Sequence, residues 1–366
     1  MSVASHERLA ASVLMFGFEG TRPDMHAREL IGRGAAGVIL MRRNVGTPGE
    51  TFELTAQLKA TAGRPFLISV DQEGGRVARL RDGFTPLPPL RRIGQAADAD
   101  AARRMGSILG EECRAVGIDL DFAPVVDVDS NPANPVIGDR SFGSDPALCA
   151  RLGAAMIAGL QEASVAACAK HFPGHGDTNQ DSHTDLPSIS HGLQRLRSVE
   201  LVPFRAAVEA GVATLMTAHI VLEALDDHLP ATLSPTALAG LRSEIGFEGV
   251  MVSDDLEMAA ISDRFAMGDA AARAIAAGCD LLLVCHRADR QEEAIAGLAK
   301  WAAASSAGRE RLEEASRRVG QLATRFGAGT LPGRFRPEAL RKPEALAFAE
   351  RFAAAGGSDP TEKPVV

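Results

Sequence analysis

The sequence predicts an α/β fold, a single (β/α)8 TIM-type barrel with extra helices at its C-terminal end. Eight short apolar runs recur along the chain, and polar or glycine-rich residues and then a segment of helical periodicity follow each run. Strand and helix alternating eight times is the pattern of this barrel, and a length of 366 residues suits one such domain. The alternative is a doubly wound open sheet, which usually has a glycine-rich dinucleotide-binding turn after its first strand. The first apolar run here is not followed by such a turn.

The predicted strands are residues 12–18, 37–41, 66–70, 118–126, 165–169, 213–216, 250–252 and 280–284. Segments such as 147–162, 193–210 and 269–277 are predicted to be helices between them. We expect residues 1–325 to form the barrel, with a long helix over 309–326 at its end. Residues 326–355 are predicted to form C-terminal helices packed on the barrel. The tail at 356–366 is rich in Gly, Pro and Asp and is predicted to be disordered.

Composition excludes several classes of partner. The net charge of -8 argues against nucleic acid, and no basic run is present that would hold an anionic membrane surface. The apolar run at 13–18 stops at Glu19 and is too short for a signal peptide or a membrane span. Five cysteines without C-x-x-C spacing favour free thiols in a reducing compartment. We therefore expect a cytoplasmic protein, a monomer, with no nucleic-acid or membrane partner.

Ionisable residues follow six consecutive predicted strands, from the third to the eighth. In a barrel of this kind, residues at the C-terminal ends of the strands line the active-site face. The loops after the third, fourth and fifth strands are also long, which is typical of functional loops. The residues that the pattern places at this rim are Asp71, Glu73, Arg79, Asp127, Asp129, Lys170, His171, His219, Asp254, Asp255 and His286.

The densest group of such residues follows the fifth predicted strand. After Lys170 and His171, the next sixteen residues hold four Gly or Pro, three Asp and two His. A metal site is one interpretation, but Pro173 and Gly174 prevent His171 and His175 from forming the helical pair of a zinc protease. The charge of Lys170 would also oppose a cation. We therefore expect no metal.

General acid–base and nucleophilic chemistry is the other interpretation. Asp181 and His183 are two residues apart, so the carboxylate can orient the imidazole and raise its pKa. Asp254, a short side chain at the tip of the seventh strand, is the best candidate for a nucleophile. Cations such as Lys170 and Arg79 would keep a buried carboxylate ionised. A carboxylate nucleophile and a proton donor across a polar pocket are the arrangement of retaining glycoside hydrolysis.

Three motifs then show a resemblance to a known family. They are KHFPGHGDTNQDSHTDLP at 170–187, VDQEGGRVARL at 70–80 and VMVSDDLEM at 250–258. Together they resemble glycoside hydrolase family 3, and within it the single-domain bacterial β-N-acetylglucosaminidases (β-hexosaminidases) of peptidoglycan recycling. The likeness spans about residues 10–325.

The resemblance implies a role for each residue of the candidate site. It makes Asp254 the nucleophile, His183 the general acid/base and Asp181 the partner of His183. It implies no cofactor and a muropeptide substrate, from which N-acetylglucosamine is removed next to a 1,6-anhydromuramoyl residue. By position in the motifs and in GDRSFG at 138–143, the residues that would hold the sugar are Asp71, Arg79, Arg140, Lys170 and His171.

Several alternatives remain open at this stage. A family-3 phosphorylase would use phosphate instead of water, a β-glucosidase or xylosidase would take another sugar, and a sugar-binding protein would lack turnover. His175 and Asp177 could serve only to shape the loop, and Glu73 could be structural. His219 and His286 are either rim histidines with local partners or ligand contacts. Asp127 and Asp255 could pair with nearby Arg or Lys to stiffen the rim.

Overall fold

The chain folds into a closed barrel of eight parallel strands, as predicted. The computed structural model describes residues 3–182, 185–328 and 334–353, so the predicted tail at 356–366 lies outside the described residues. Each strand pairs with its neighbours in the chain, and the first pairs with the last, which rules out the open doubly wound sheet. The barrel strands are β1 (Leu14–Phe16), β2 (Gly37–Leu40), β3 (Leu67–Val70), β4 (Leu120–Asp121), β5 (Ala166–Phe172), β6 (Thr214–Thr217), β7 (Val250–Asp255) and β8 (Leu281–Val284).

Two strands extend further than the apolar pattern predicts. β5 continues through Lys170 and His171, and β7 continues through Asp254 and Asp255. Asp71 and Glu73 compensate the buried charge of Lys170, which can therefore remain in a strand at the rim. The fourth strand is instead shorter than predicted, because it stops before Pro124, a residue that cannot donate to a ladder.

Helices surround the barrel and cover its outer face. They are α1 (Val3–Ala11), α2 (Met25–Arg33), α3 (Pro48–Ala62), α4 (Leu90–Ala96), α5 (Ala99–Ala115), α6 (Pro146–Glu162), α7 (Leu193–Ser198), α8 (Leu201–Glu209), α9 (Pro235–Glu244), α10 (Ala259–Ser262), α11 (Met267–Ala277), α12 (Ala288–Ala304), α13 (Ser306–Leu322) and α14 (Pro343–Ala353). Among the described residues, no helix has both the length and the apolar composition that a membrane span requires.

Local sequence explains where several helices begin and end. α3 starts with a capping box, in which Thr47 accepts from the backbone N–H of Glu50 and Glu50 accepts from that of Thr47. It stops at Gly63, which takes a left-handed conformation at φ +59°. The helix predicted over 193–210 is divided into α7 and α8, because Pro203 has no N–H for a continuous helix and suits only the first turn of α8.

Smaller elements lie at the rim of the barrel. Gln72–Gly74 and Val77–Ala78 form a hairpin directly after β3. Ser188–Ile189, Val221–Leu222 and Asp226–Pro230 form a three-stranded sheet that joins the loops after β5 and β6. These elements give the rim loops a fixed backbone.

Apolar side chains fill the barrel interior, and the end of α13 closes it at the N-terminal side of the strands. Met15, Leu120 and Phe122 are among the buried interior residues, and Leu322 and Phe326 belong to the same cluster. This packing leaves the opposite end, where the strands terminate, as the place for a pocket.

Two buried carboxylates lie at the closed end. Asp119 precedes β4 and accepts from the backbone N–H of Ile68 on β3 at 3.1 Å. Asp280 precedes β8 and accepts from the backbone N–H of Met251 on β7 at 3.0 Å. Both are fully buried, and each is compensated by cations. The cations are Lys59 and Arg114 for Asp119, and Arg242, Arg311 and Arg318 for Asp280.

The C-terminal part of the chain packs against the helices of the barrel. Leu340, Ala345 and Phe352 are buried. The backbone N–H of Arg341 donates to Glu112 at 2.8 Å, so the approach to α14 is also fixed by a hydrogen bond.

Candidate active site

Lys170 is the centre of a buried charge cluster at the C-terminal end of the strands. Its Nζ is 2.9 Å from Asp71 Oδ1 and 2.6 Å from Glu73 Oε1, and its side chain is 2 % exposed. Arg140, from the turn after β4, donates through Nε and Nη2 to the two carboxylate oxygens of Glu73, at 2.8 Å each. The structure therefore joins Asp71, Arg140 and Lys170 of the predicted site through Glu73.

The cluster keeps its carboxylates ionised. Burial alone would raise the pKa of Asp71, but the charges of Lys170 and Arg79 outweigh it and hold that pKa below its ordinary value. For Glu73, Arg140 and Lys170 outweigh burial in the same way and hold the pKa far below its usual range. Burial would lower the pKa of Lys170, and the two carboxylates raise it instead. The site thus offers fixed acceptors and a fixed donor to a polar ligand.

Arg79 lies at the edge of this cluster. Its Nη2 is 3.5 Å from Asp71 Oδ2, a long contact. Its buried Nε has no hydrogen-bond partner within the part of the chain that the structure describes. A ligand oxygen would satisfy this donor.

Asp127 orients His171. Its Oδ2 is 2.7 Å from His171 Nδ1, and it also accepts from the His171 backbone N–H. Nε2 of His171 therefore faces the rim, 3.4 Å from Arg140 Nη2. Burial would raise the pKa of Asp127. His171, together with His175 and its backbone N–H, outweighs burial and holds the pKa of Asp127 below its ordinary value. Asp127 binds histidine rather than the Arg or Lys that the sequence suggested.

Asp254 lies at the end of β7, where the pairing with β8 is irregular. The register with β8 shifts between Val252 and Asp255, and Ser253 Oγ accepts from the Leu283 N–H at 3.0 Å. Asp254 Oδ1 accepts from the next backbone N–H, that of Asp255, at 2.8 Å. Asp254 lines a pocket at the rim of the barrel.

That pocket has a volume of about 670 Å³. Asp71, Arg79 and Asp254 line it together, so the structure brings a predicted sugar-binding carboxylate and the predicted nucleophile to one cavity. Its size suits a small-molecule site. The remaining lining includes Met41, Arg42, Arg43, Met216, Glu257, Met258 and His286.

The two rim histidines differ in their surroundings. His219 is fully buried, with Nδ1 2.8 Å from Thr232 Oγ1 and Nε2 3.0 Å from the carbonyl of Asp255, so both ring nitrogens have local partners. His286 is half-exposed in the pocket wall, with Nε2 3.3 Å from Asp255 Oδ2. Its pKa is raised, chiefly by the hydrogen bond to Asp255. Asp255 thus pairs with histidine and not with the Arg or Lys suggested by the sequence.

The segment of the predicted dyad is only partly described. His183 lies outside the described residues, so its distance to Asp181 or Asp254 remains a prediction. Asp181 is half-buried, and its carbonyl accepts from the Asp185 N–H at 2.9 Å. The next residue, Ser182, is buried with Oγ 3.1 Å from His175 Nε2.

Other rim residues lie in local pairs apart from the cavity. Asp177 bonds Ser130 at 2.9 Å and His191, and Asp129 bonds Arg91. His175 and Asp177 therefore shape the loop through side-chain partners as well as backbone. Within the described ranges, no group of three or more His, Cys, Asp or Glu is arranged to hold a metal ion.

Glu73 and Asp127 are the residues whose roles sequence reasoning missed. The Asp-x-Glu spacing of Asp71 and Glu73 was a usable signal, because alternate residues of an extended chain point to one side. No local signal identified Asp127 as the partner of His171, which is 44 residues away.

Comparisons with known proteins identify the family. Residues 10–322 match the glycosyl hydrolase family 3 N terminal domain. A β-hexosaminidase of Thiobacillus denitrificans is 42% identical over 293 residues, 78% of this chain and 81% of that protein. One of Xanthomonas oryzae pv. oryzae is 43% identical over 285 residues, covering 75% of this chain and 84% of that one.

Solved structures agree with these relatives. A glycoside hydrolase family 3 β-N-acetylglucosaminidase from Paenibacillus has a TM-score of 0.88 at 42% identity, covering 95% of this chain and 68% of that chain. NagZ from Neisseria gonorrhoeae has a TM-score of 0.78 at 33% identity, covering 93% of this chain and 98% of that chain. The resemblance in the three motifs is confirmed. The chain belongs to glycosyl hydrolase family 3 and is a glycoside hydrolase of the β-hexosaminidase type.

Proposed function

We propose that the protein is a retaining exo-β-N-acetylglucosaminidase that removes terminal β-linked N-acetylglucosamine from muropeptides. The observation that carries the proposal is the single cavity lined by Asp71, Arg79 and Asp254 beside the buried Lys170 cluster. NagZ from Neisseria gonorrhoeae, a relative in structure, has been solved with N-trifluoroacetyl-D-glucosamine. The proposed ligand, N-acetylglucosamine, differs from the sugar of that complex in having an acetyl group in place of the trifluoroacetyl group.

The cluster would bind the non-reducing sugar through its hydroxyl groups. Asp71, kept ionised by Lys170 and Arg79, accepts hydrogen bonds from hydroxyls. Lys170, Arg79 and Arg140 donate, and His171 presents Nε2, since Asp127 occupies its Nδ1. Charge-assisted bonds of this kind are stronger than neutral ones and give orientation as well as affinity.

The reaction would proceed by double displacement. His183 gives a proton to the glycosidic oxygen while an oxygen of Asp254 bonds to C1 and the C1–O bond to the leaving group breaks. Then His183, oriented by Asp181, takes a proton from water, the water oxygen bonds to C1, and the bond from Asp254 breaks. The sugar leaves with its β configuration retained, and both residues return to their starting protonation states.

The remaining parts of the proposal concern the whole chain. We propose a cytoplasmic monomer, with residues 1–325 as the catalytic barrel and residues 326–355 as helices packed on it. All five cysteines are buried, and none forms a disulfide, which supports a reducing compartment. The burial of Phe352 and the hydrogen bond from Arg341 to Glu112 support the packing of the C-terminal part.

Activity on p-nitrophenyl β-glycosides of N-acetylglucosamine, glucose and xylose tests the proposal. We expect the N-acetylglucosaminide to be preferred, with free N-acetylglucosamine as product whether phosphate is present or absent. Asp254→Ala should abolish turnover, because the nucleophile is gone. A sugar 1-phosphate formed in phosphate buffer, or preference for glucose, would reject the proposal in favour of a phosphorylase or a glucosidase.

A further inference from the structure

His175 is a buried histidine that the proposed mechanism does not use, and it lies against the segment that carries Asp181. Its side chain is enclosed, and both ring nitrogens have partners: Nδ1 is 2.8 Å from Thr178 Oγ1, and Nε2 is 3.1 Å from Ser182 Oγ. Its backbone N–H donates to Asp127 Oδ1 at 2.7 Å. The position and the rotation of the ring are therefore fixed.

Ser182 connects this histidine to the loop of the nucleophile. Its side chain is bound by His175, and its carbonyl accepts from the backbone N–H of Ala260 at 3.4 Å. Ala260 lies in α10, which follows the strand of Asp254. Ser182 is thus held from one side by its own loop and from the other by the segment after β7.

A second contact joins the same two segments. Asp185 Oδ1 is 3.0 Å from Nη2 of Arg264, just after α10. The Asp185 N–H also donates to the carbonyl of Asp181 at 2.9 Å, which closes a turn around Ser182. Ser182 and Asp185, which follow Asp181 in the chain, are therefore both tied to the loop that follows the nucleophile.

We propose that His175 and Ser182 are positioning residues that set the Asp181 carboxylate relative to Asp254. This inference rests on the proposed function, in which Asp181 orients the general acid. Asp127 extends the connection, since one of its oxygens holds the ring of the sugar-contacting His171 and the other holds the backbone of His175. The bound sugar, the acid/base segment and the nucleophile loop thereby share one hydrogen-bonded frame. General acid catalysis needs this accuracy, because a displacement of about 1 Å can cost roughly a hundredfold in rate.

Leaving-group dependence distinguishes positioning from a merely structural role. The test compares kcat/KM for phenyl and 2,4-dinitrophenyl N-acetyl-β-glucosaminides, because kcat/KM reports the steps up to cleavage of the glycosidic bond. Phenol needs proton assistance to leave, and dinitrophenol does not. Variants are Ser182→Ala, His175→Ala, their double variant and His183→Ala as the reference for a lost acid. Ser12→Ala is the control, since it removes a hydroxyl that bonds Leu9 and Ser316 at the closed end of the barrel.

We expect Ser182→Ala and His175→Ala each to lower kcat/KM for the phenyl substrate roughly ten- to a hundredfold. The dinitrophenyl substrate should lose less than about threefold, because it bypasses the acid. The double variant should lose about as much as one single variant, since both remove the same contact. Ser12→Ala should leave both values unchanged. If His175→Ala fails to fold, Ser182→Ala carries the test, because it removes a hydroxyl and leaves the backbone contact to Ala260.

Two results would overturn the inference, and they differ in whether the proposed function survives. In the first result, His183→Ala shows the leaving-group difference, but Ser182→Ala loses activity equally on both substrates or not at all. This result would reject the positioning role and leave the proposed function intact. A His183→Ala variant with no leaving-group difference would reject the acid role itself, and the positioning role with it.

Discussion

Replacing Lys170 with methionine should lower the free energy of unfolding by about 3–5 kcal/mol at pH 7, because a buried charge pair loses one partner. The contacts of 2.9 Å to Asp71 and 2.6 Å to Glu73 set the size of the effect. At an effective dielectric constant of about 20, each is worth about 6 kcal/mol of attraction, and desolvation of the ions offsets much of it. Glu73 keeps Arg140 at 2.8 Å, whereas Asp71 keeps Arg79 at the longer distance of 3.5 Å. Most of the loss should therefore come from Asp71.

The pH dependence of this loss follows from the pKa of Asp71. In the wild type that pKa is lowered, so its stabilisation is present above the unfolded value near pH 4 and is lost as pH falls through the folded value. In Lys170→Met, burial raises the pKa of Asp71, and protonation relieves the uncompensated charge as pH falls. The gap in unfolding free energy between wild type and variant should narrow from pH 7 to pH 4.

Urea denaturation at both pH values measures this gap, and calorimetric titration with N-acetylglucosamine measures binding. Lys59→Met is the matched control, since it removes a lysine, 13% exposed, from the buried Asp119, which keeps Arg114, at the closed end. It should lower stability and leave sugar binding unchanged, whereas Lys170→Met should weaken binding. A loss below about 1 kcal/mol at pH 7, the size of a surface pair, or a gap independent of pH would refute the reasoning.

Other changes test neighbouring parts of the site. Glu73→Gln should raise KM for the aryl N-acetylglucosaminide about tenfold, because Arg140 and Lys170 lose a charged partner worth about 1.5–3 kcal/mol per hydrogen bond; an unchanged KM would make Glu73 dispensable for binding. Ser253→Ala should lower kcat with little change in KM and cost about 1–3 kcal/mol in urea denaturation, because the buried Leu283 N–H loses its acceptor beside Asp254. Burial, with the nearby His171, lowers the pKa of His175 to about 4. As pH falls from about 6.5 towards 4, the unfolded state binds this proton before the folded state does, so the free energy of unfolding decreases. His175→Gln should show a flatter dependence of unfolding free energy on pH in that window, and equal slopes for both proteins would contradict this.

The architecture was predictable because each barrel strand has an apolar run and each run precedes a helical segment. The ends of the strands were less predictable. Lys170 and Asp254 belong to strands, although a charged residue after an apolar run reads as the start of a loop. The reason is tertiary, since Asp71 and Glu73 compensate the charge of Lys170 from about a hundred residues away.

The placement of the proposed site residues at one rim was predictable, and the pairing between them was not. Asp71, Arg140 and Lys170 each follow a predicted strand, so their presence at one rim follows from barrel topology. The Asp-x-Glu spacing places Glu73 on the same side as Asp71 but does not indicate that Glu73 joins Arg140 to Lys170. Nothing local indicates that His219 lies 2.8 Å from Thr232. The irregular pairing at Asp254 depends on the register between β7 and β8, which a single strand sequence does not determine.

The buried carboxylates at the closed end, Asp119 and Asp280, make the same kind of contact in two halves of the barrel. Each accepts from a residue of the preceding strand, Ile68 on β3 or Met251 on β7. Three residues beyond Ile68 is Asp71, and three residues beyond Met251 is Asp254. The proposed sugar-binding carboxylate and the proposed nucleophile thus lie the same number of residues beyond a matched contact, although the register of β7 with β8 shifts between Val252 and Asp255. Each of these two side chains is therefore carried by a strand that a buried carboxylate anchors at the closed end of the barrel.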